Sequence, residues 1–342
     1  MRRILAVLDF RVTPFTVGEI LVFQETAAAL CLEFDAEKVD IIWLCDPQEP
    51  ARDDQGVTPE NYYVHLSYLL PLAYVNSYLG NFMLMDSPAC VHQYISDRGS
   101  EYAHIHPSLE DFLALKDVYS TRFEILRQFH QKRNFIPALS CQPSMLAWAR
   151  NVYQRKIWPH LPVTVHMRNR TDLTFRNANM NGWFDFLKDC KRQFPVRFIL
   201  VGTREEIEPR FRRLENVVLS KDLGYTVEHD CAFIQSSSLF LGGRSGISSM
   251  AIFSDLPYRI YNFETAGTEG LLKEQQFSWA APLQKLIWKQ ETREMLMDEF
   301  ADLYRRLEPR GWLENFRQTV QGIGEKLERR SRYGLVSGKA GR

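Results

Sequence analysis

From residue 239 to residue 262 the chain passes through a short apolar segment, a glycine turn, a helical pattern and a second apolar segment. Few folds accommodate that order. Leu239-Phe240-Leu241 reads as a buried strand. Gly242-Gly243-Arg244-Ser245-Gly246 supplies a flexible turn, and residues 247–254 carry the helical pattern. Leu256-Pro257 then stops the helix before Tyr258-Arg259-Ile260-Tyr261-Asn262 returns as a strand. A strand, a glycine turn and a helix N-terminus in succession present unpaired backbone N–H groups to an anion. Gly243 and Gly246 let the backbone approach closely, Arg244 adds a fixed positive charge, and Ser245, Ser248 and Ser249 add hydroxyl donors. The turn therefore reads as a cradle for a diphosphate, a nucleotide-sugar first among them. A tight βαβ connection without a ligand would use the same residues.

The surrounding sequence extends this alternation. Strands are expected at residues 163–166, 196–202 and 217–219. Helices are expected at 183–193, from Arg204 onward behind a Thr203 cap, and at 226–236. Such alternation over about 100 residues indicates a doubly wound parallel sheet. The chain also begins as a βαβ unit, with strands at 4–8 and 38–45 around a helix at 19–32. Residues 60–135 are rich in aromatics, with helices expected at 61–79 and 111–129 around a strand at 82–85. A helix over 144–156 ends before Trp158-Pro159-His160-Leu161-Pro162, whose prolines mark a domain junction. The expected architecture is α/β, with two Rossmann-like doubly wound domains facing a central cleft. Residues 1–158 form the acceptor-side domain, 159–325 the donor domain with closing helices at 291–307 and 312–329, and 326–342 a basic tail.

Composition removes several function classes. The 342 residues carry 42 basic and 42 acidic side chains, so no global positive field gathers nucleic acid. The six cysteines lie far apart without a CxxC pair, which fits reduced thiols in a cytoplasmic protein. The apolar run after Arg2-Arg3 stops at Asp9, too early for a signal peptide, and no stretch is apolar for long enough to span a membrane. The tail from Lys326 suits peripheral contact with an anionic membrane surface, although a solvated terminus accounts for it as well. No GxGxxG follows the first strand and no GxxxxGK[ST] occurs, which sets aside dehydrogenases and P-loop NTPases.

His166, Gly202 and Gly242 each fall at the carboxyl end of an expected strand, where open α/β sheets bind ligands. His166-Met167-Arg168-Asn169-Arg170-Thr171-Asp172 places two guanidinium groups and an acid just past one strand, a pattern suited to phosphate. A surface pair of Arg168 with Asp172 is the plainer alternative. Arg204 is a second-rank phosphate or base contact, and Asn262 and Glu264 are placed to hold sugar or ribose hydroxyls. Asp9, at a strand end, and Glu19, at a helix start, are equal candidates for the base that activates an acceptor hydroxyl. Glu228 and Asp230 read as helix caps. No DxD motif is present, so no metal or other cofactor is expected.

The HMRNRTD stretch followed by FLGGRSGISSMAIF resembles the donor half of GT-B glycosyltransferases, nearest to the fucosyltransferase-like group of nodulation and protein O-fucosyltransferases. Those enzymes carry HxRRxD and a later G-x-x-S-G-x-S-type turn. The later turn is also similar to that of heptosyltransferases. The resemblance covers about residues 160–290. It implies a nucleotide-sugar donor, GDP-linked in that group, with a glycan or polysaccharide acceptor, and it gives Arg168 the contact with the leaving diphosphate. This chain reads HxRNRxD, with Asn169 at the family's second arginine and the acid one residue late. A binding protein without catalysis and a nucleotide-sugar epimerase remain the alternatives on the same fold.

Overall fold

The computed structural model describes residues 1–49, 56–115, 122–171, 173–223, 226–263 and 271–307. The first sheet contains β1 (Arg3–Asp9), β2 (Lys38–Leu44), β3 (Leu79–Met85) and β4 (Ile105–His106), all parallel in the order β3-β2-β1-β4. Around it run α1 (Val17–Glu33), α2 (Tyr62–Leu69), α3 (Pro88–Arg98), α4 (Leu109–Leu113) and α5 (Arg122–Arg133). The second sheet contains β5 (Leu161–His166), β6 (Val196–Val201), β7 (Val217–Leu219), β8 (Leu239–Gly243), β9 (Tyr258–Tyr261) and β12 (Gln284–Leu286). Its order is β12-β9-β8-β5-β6-β7, again all parallel. Its helices are α7 (Met180–Gln193), α8 (Val227–Ser236), α9 (Ser249–Ile252) and α10 (Arg293–Arg306), and β10 (Leu272–Lys273) pairs with β11 (Gln276–Phe277) in a small hairpin. In both sheets the first strand lies inside and the winding reverses beside it, between β1 and β4 and between β5 and β8. The fold is therefore α/β with two doubly wound, Rossmann-like sheets. The strands are largely apolar because helices cover the sheets. Every residue of β5 is buried.

The apolar core continues from β1 and β2 through α1 into α8 and α9. Helix α6 (Pro143–Val152) follows the first sheet in sequence but packs on α8, with Trp148 and Phe233 ring centroids 5.0 Å apart. A one-turn π-helical extension, Tyr153–Ile157, follows it, and the Tyr153 hydroxyl donates to the Phe233 carbonyl at 2.5 Å. Helix α6 thus sides with the second sheet by packing, although the first strand of that sheet begins only at Leu161.

Several expected elements differ. The helix expected over 61–79 ends at Leu69, because Pro71 supplies no N–H, and a 3₁₀ turn (Leu70–Tyr74) and four further residues lead to β3. The helix expected over 111–129 is instead α4 and α5, with 116–121 outside the described residues. No α-helix starts at Arg204: the Glu206 carboxylate accepts from the Thr203 N–H at 3.1 Å, and a 3₁₀ turn at Pro209–Arg213 follows. The pattern over 247–254 is a 3₁₀ turn (Gly246–Ser248) followed by the four-residue α9. The sequence reading omits α3, although Ser87 caps it by accepting from the Cys90 N–H at 3.3 Å and Pro88 occupies its first turn. The helix expected over 312–329 and the basic tail lie outside the described residues.

Helix α1 is buried from Ile20 to Cys31, and Glu25 within it is 0% exposed with no hydrogen-bond partner on either carboxylate oxygen. Burial pushes its carboxyl well above the ordinary range. A folded-state value above the unfolded one means that the native state holds the proton more tightly. Stability is then full below the unfolded value and falls as pH rises toward the folded value. Glu25→Gln should therefore flatten the loss of stability between about pH 5 and about pH 8, as read by urea unfolding at each pH. Equal slopes for the two proteins would show that the fold does not raise the Glu25 carboxyl above its unfolded value.

Candidate functional site

At the carboxyl ends of the second sheet, His166 in β5 lies in register with Gly242 in β8, on either side of the winding reversal. A Cβ at Gly242 would sit 2.8 Å from the His166 carbonyl oxygen, so sheet packing alone requires this glycine. Gly202 has φ +124° and faces the His166 ring and Glu206, so it serves a left-handed turn. A Cβ at Gly243 would meet nothing within 4 Å. Of the three glycines at 242, 243 and 246, Gly243 is thus the one with open space in front of it.

The loop after β5 is built around Asn177. Its Oδ1 accepts from Arg168 Nη1 at 2.7 Å and from the Arg170 N–H at 3.0 Å, while its Nδ2 donates to the Arg170 carbonyl at 2.7 Å. Arg168 is 5% exposed and also donates to the Leu173 carbonyl at 3.2 Å, so its guanidinium is held within its own loop. Arg176 donates to the Arg244 carbonyl at 3.2 Å, and Asn262 Nδ2 donates to the Phe175 carbonyl at 3.1 Å. One loop therefore ties together the ends of β5, β8 and β9. Arg170 and Arg204 are exposed, and Arg204 donates to the Lys221 carbonyl at 2.9 Å. Arg244 lies over the Phe263 ring at 5.8 Å. Asp172 and Glu264 lie outside the described residues.

Beneath the loop, His166 Nε2 lies 3.7 Å from Glu206, an ion-pair rather than a hydrogen-bond distance. Burial acts to raise the Glu206 carboxyl, but His166, the Thr203 N–H and Arg170 outweigh it and hold the group below the ordinary range. Asp230 is not the cap of α8. It is buried, with Lys221 Nζ at 2.6 Å, while the Thr226 N–H at the helix start donates to His229 Nδ1 at 3.3 Å. Asn177, Glu206 and Lys221 escaped the sequence reading. Only Glu206 left a signal there, through its spacing of three from Thr203.

The glycine turn differs from the expected anion cradle in one respect. Ser248 donates its hydroxyl proton to the Gly243 carbonyl at 3.0 Å and lies 2.9 Å from the Ser245 hydroxyl, which must then be the donor to it. Both hydroxyl protons stay inside the turn. Ser249 is buried, and the α-helix behind the turn is only four residues long. Gly246 meets the other half of the molecule: a Cβ on it would lie 2.8 Å from the Cα of Gly18, in the first turn of α1, and a Cβ on Gly18 would lie 2.8 Å from the Cα of Gly246. Close approach at residue 246 is thus taken up by α1.

Across the cleft, Asp9 at the end of β1 is 3% exposed and gripped by Arg11, whose Nε reaches Oδ1 at 3.0 Å and whose Nη2 reaches Oδ2 at 2.8 Å. Glu19 pairs with Arg122 at 2.7 Å. Glu19 and Arg122 line a cavity of about 20 Å³ shared with Thr13, Thr26 and His106. Burial pushes His106 down to about 4, so its ring is neutral near pH 7.

With this geometry in hand, solved structures provide the comparison. The glycosyltransferase family 9 protein from Veillonella parvula DSM 2008 superposes with a TM-score of 0.57 at 8% identity, covering 88% of this chain and 97% of that one. The ADP-heptose LPS heptosyltransferase II of E. coli superposes with a TM-score of 0.57 at 9% identity, covering 90% and 100%. The chain has the GT-B fold. The likeness to the NodZ α-1,6-fucosyltransferase is weaker, with a TM-score of 0.34. No family model and no curated protein matches the sequence. Among the described residues, no three His, Cys, Asp or Glu side chains are grouped to hold a metal, and no helix is long and apolar enough to cross a membrane.

The Gly18–Gly246 contact reverses an ordinary rule. Alanine for glycine in a helix gains about 0.5–1 kcal/mol, whereas overpacking against fixed backbone costs about 1–3 kcal/mol. Gly18→Ala should therefore lower stability, and Gly246→Val should lower it further, as measured by urea unfolding without any ligand. A stabilised Gly18→Ala protein would show that the two halves do not touch there.

Proposed function

We propose that the chain is a glycosyltransferase that moves a sugar from a nucleoside diphosphate donor to a glycan or polysaccharide acceptor in the cleft between its two sheets. The observation that carries this reading is the open space in front of Gly243 at the winding reversal, with Arg170, Arg204 and Arg244 each following a different strand of the same sheet. Guanidinium groups and backbone N–H groups at strand ends neutralise a departing diphosphate without a metal ion. The GT-B fold supports the same reading, since one protein that shares it transfers heptose from ADP-heptose. ADP-sugars therefore stand beside the GDP-sugars suggested by the HxRNRxD stretch.

In this mechanism the donor diphosphate lies against Gly243 and the exposed Arg170. Arg168 acts on the leaving group by holding the loop that carries Arg170 and Arg176. His166 and Glu206 support the loop from beneath, and Asn262 faces the sugar or ribose. On the opposite wall, Asp9 or Glu19 accepts the proton of the attacking acceptor hydroxyl while the anomeric carbon–oxygen bond to the diphosphate breaks. The alternative of a donor-binding protein without catalysis draws on one observation: both acids already have an arginine partner.

Stabilisation by ADP-, GDP-, UDP- or CMP-sugars in a thermal-shift screen, unchanged by EDTA, is expected for one nucleotide family. No shift with any of them would overturn the donor site. Arg170→Ala should weaken donor affinity by roughly 10–100-fold, the worth of one charged hydrogen bond. Of Asp9→Asn and Glu19→Gln, the one that removes the base should lower kcat by roughly 10²–10⁴-fold with donor affinity retained. Measurable donor binding with no transfer by the wild type to any glycan tried would favour the binding protein.

A further inference from the structure

The surface farthest from this chemistry in sequence pattern is formed by α2, the 3₁₀ turn after it and β3. In a chain that is 25% charged, no residue from Asn61 to Met85 is Asp, Glu, Lys or Arg. This segment is nevertheless not buried. Tyr63 is 58% exposed, Val64 54%, Tyr68 66% and Leu84 48%, and Tyr74 is also exposed. Exposed apolar surface without charge is the mark of an interaction face.

β3 is also an edge strand, paired only with β2. The Met85 carbonyl points inward to accept from the Cys45 N–H at 2.8 Å. Backbone groups alternate along a strand, so Phe82 and Leu84 direct theirs outward. Among the described residues no backbone group lies against that edge. The usual protections of an edge, a lysine, a proline or an inward charge, are missing from Leu79–Met85.

We infer that β3 pairs with β3 of a second copy of this chain, antiparallel about a twofold axis at Met83. That register sets Phe82 opposite Leu84 of the other copy, both with outward N–H and C=O groups, and joins the two four-stranded sheets into one. Because the segment carries no charge, the twofold brings no like charges together, whereas a charged edge would repel its own copy. Tyr74, whose ring lies 5.8 Å from that of Phe82, extends the contact toward α2. A lipid surface suits the site less well, because it would leave the edge N–H and C=O groups unpaired and finds no basic side chain on it. The inference is independent of the proposed glycosyl transfer.

Sedimentation equilibrium of the full chain tests it. The wild type should sediment at twice the chain mass, and Leu84→Lys should sediment as a monomer with an unchanged far-ultraviolet circular dichroism spectrum. Register is tested separately with Met83→Cys in a Cys90→Ser background, since Cys90 is exposed and would cross-link on its own. Mild oxidation should give a covalent dimer, because residues facing each other across the axis bring their Cβ atoms within disulfide reach. A monomeric wild type would overturn the inference, including one that floats with phosphatidylcholine vesicles. So would a dimer that survives Leu84→Lys and gives no cross-link at residue 83.

Discussion

The two halves of the molecule meet where backbone touches backbone, at Gly18 and Gly246. Neither position can carry a side chain without moving a helix or a strand end. Helix α1 is buried along most of its length, and its first turn is seated on the turn that follows β8. The contact therefore fixes where the N-terminus of α1, with Glu19, lies relative to Gly243 and Arg244. Transfer between two substrates depends on holding their reacting atoms a few ångströms apart, and a contact between rigid elements sets such a distance better than one between flexible loops.

The loop from Arg168 to Ala178 performs a similar task within the second half. Leu173 has φ +45°, a conformation that costs a bulky residue about 1–3 kcal/mol. The Leu173 carbonyl accepts from Arg168, and Asn177 holds Arg168 and Arg170 together, so the hydrogen bonds of a buried guanidinium offset the strain. The arginine nearest the strand thus shapes the loop, and the one two residues later is exposed. On the proposed reading, the HxRNRxD spacing divides the work, with Arg168 holding the loop and Arg170 left to meet the diphosphate.

How much of this was legible in the sequence follows from the range of the interactions. The strands β1, β2, β5, β6, β7, β8 and β9 were readable because each is a largely apolar run closed by a turn, a mostly local signal. The stretch from residue 61 to residue 85 was legible only in part: the start of α2 and the strand at 82–85 were expected, but not where α2 ends. Pro71, rather than any periodicity, decides where α2 stops. The glycines at 242, 243 and 246 were legible as a turn, but their separate reasons were not. One makes room for the His166 carbonyl, one faces open space and one meets a helix more than 200 residues earlier in the chain. Gln24, Glu25 and Asp230 lie on buried helix faces where a sequence suggests caps or solvent, because tertiary packing overrides local preference.

The same α/β plan thus serves two ends through what surrounds each sheet. In the second half, arginines gather on the loops after β5, β6 and β8, the end of the sheet against which the donor diphosphate is proposed to lie. In the first half, the acids Asp9 and Glu19 occupy the equivalent ends, each matched by an arginine, and charge is withdrawn altogether from the edge at β3. A sheet's ends and its edge differ physically: the ends offer unpaired dipoles to small ligands, while the edge offers a row of N–H and C=O groups that only another strand can fill. Removing charge at the edge while concentrating it at the ends keeps those two kinds of partner apart on one small scaffold.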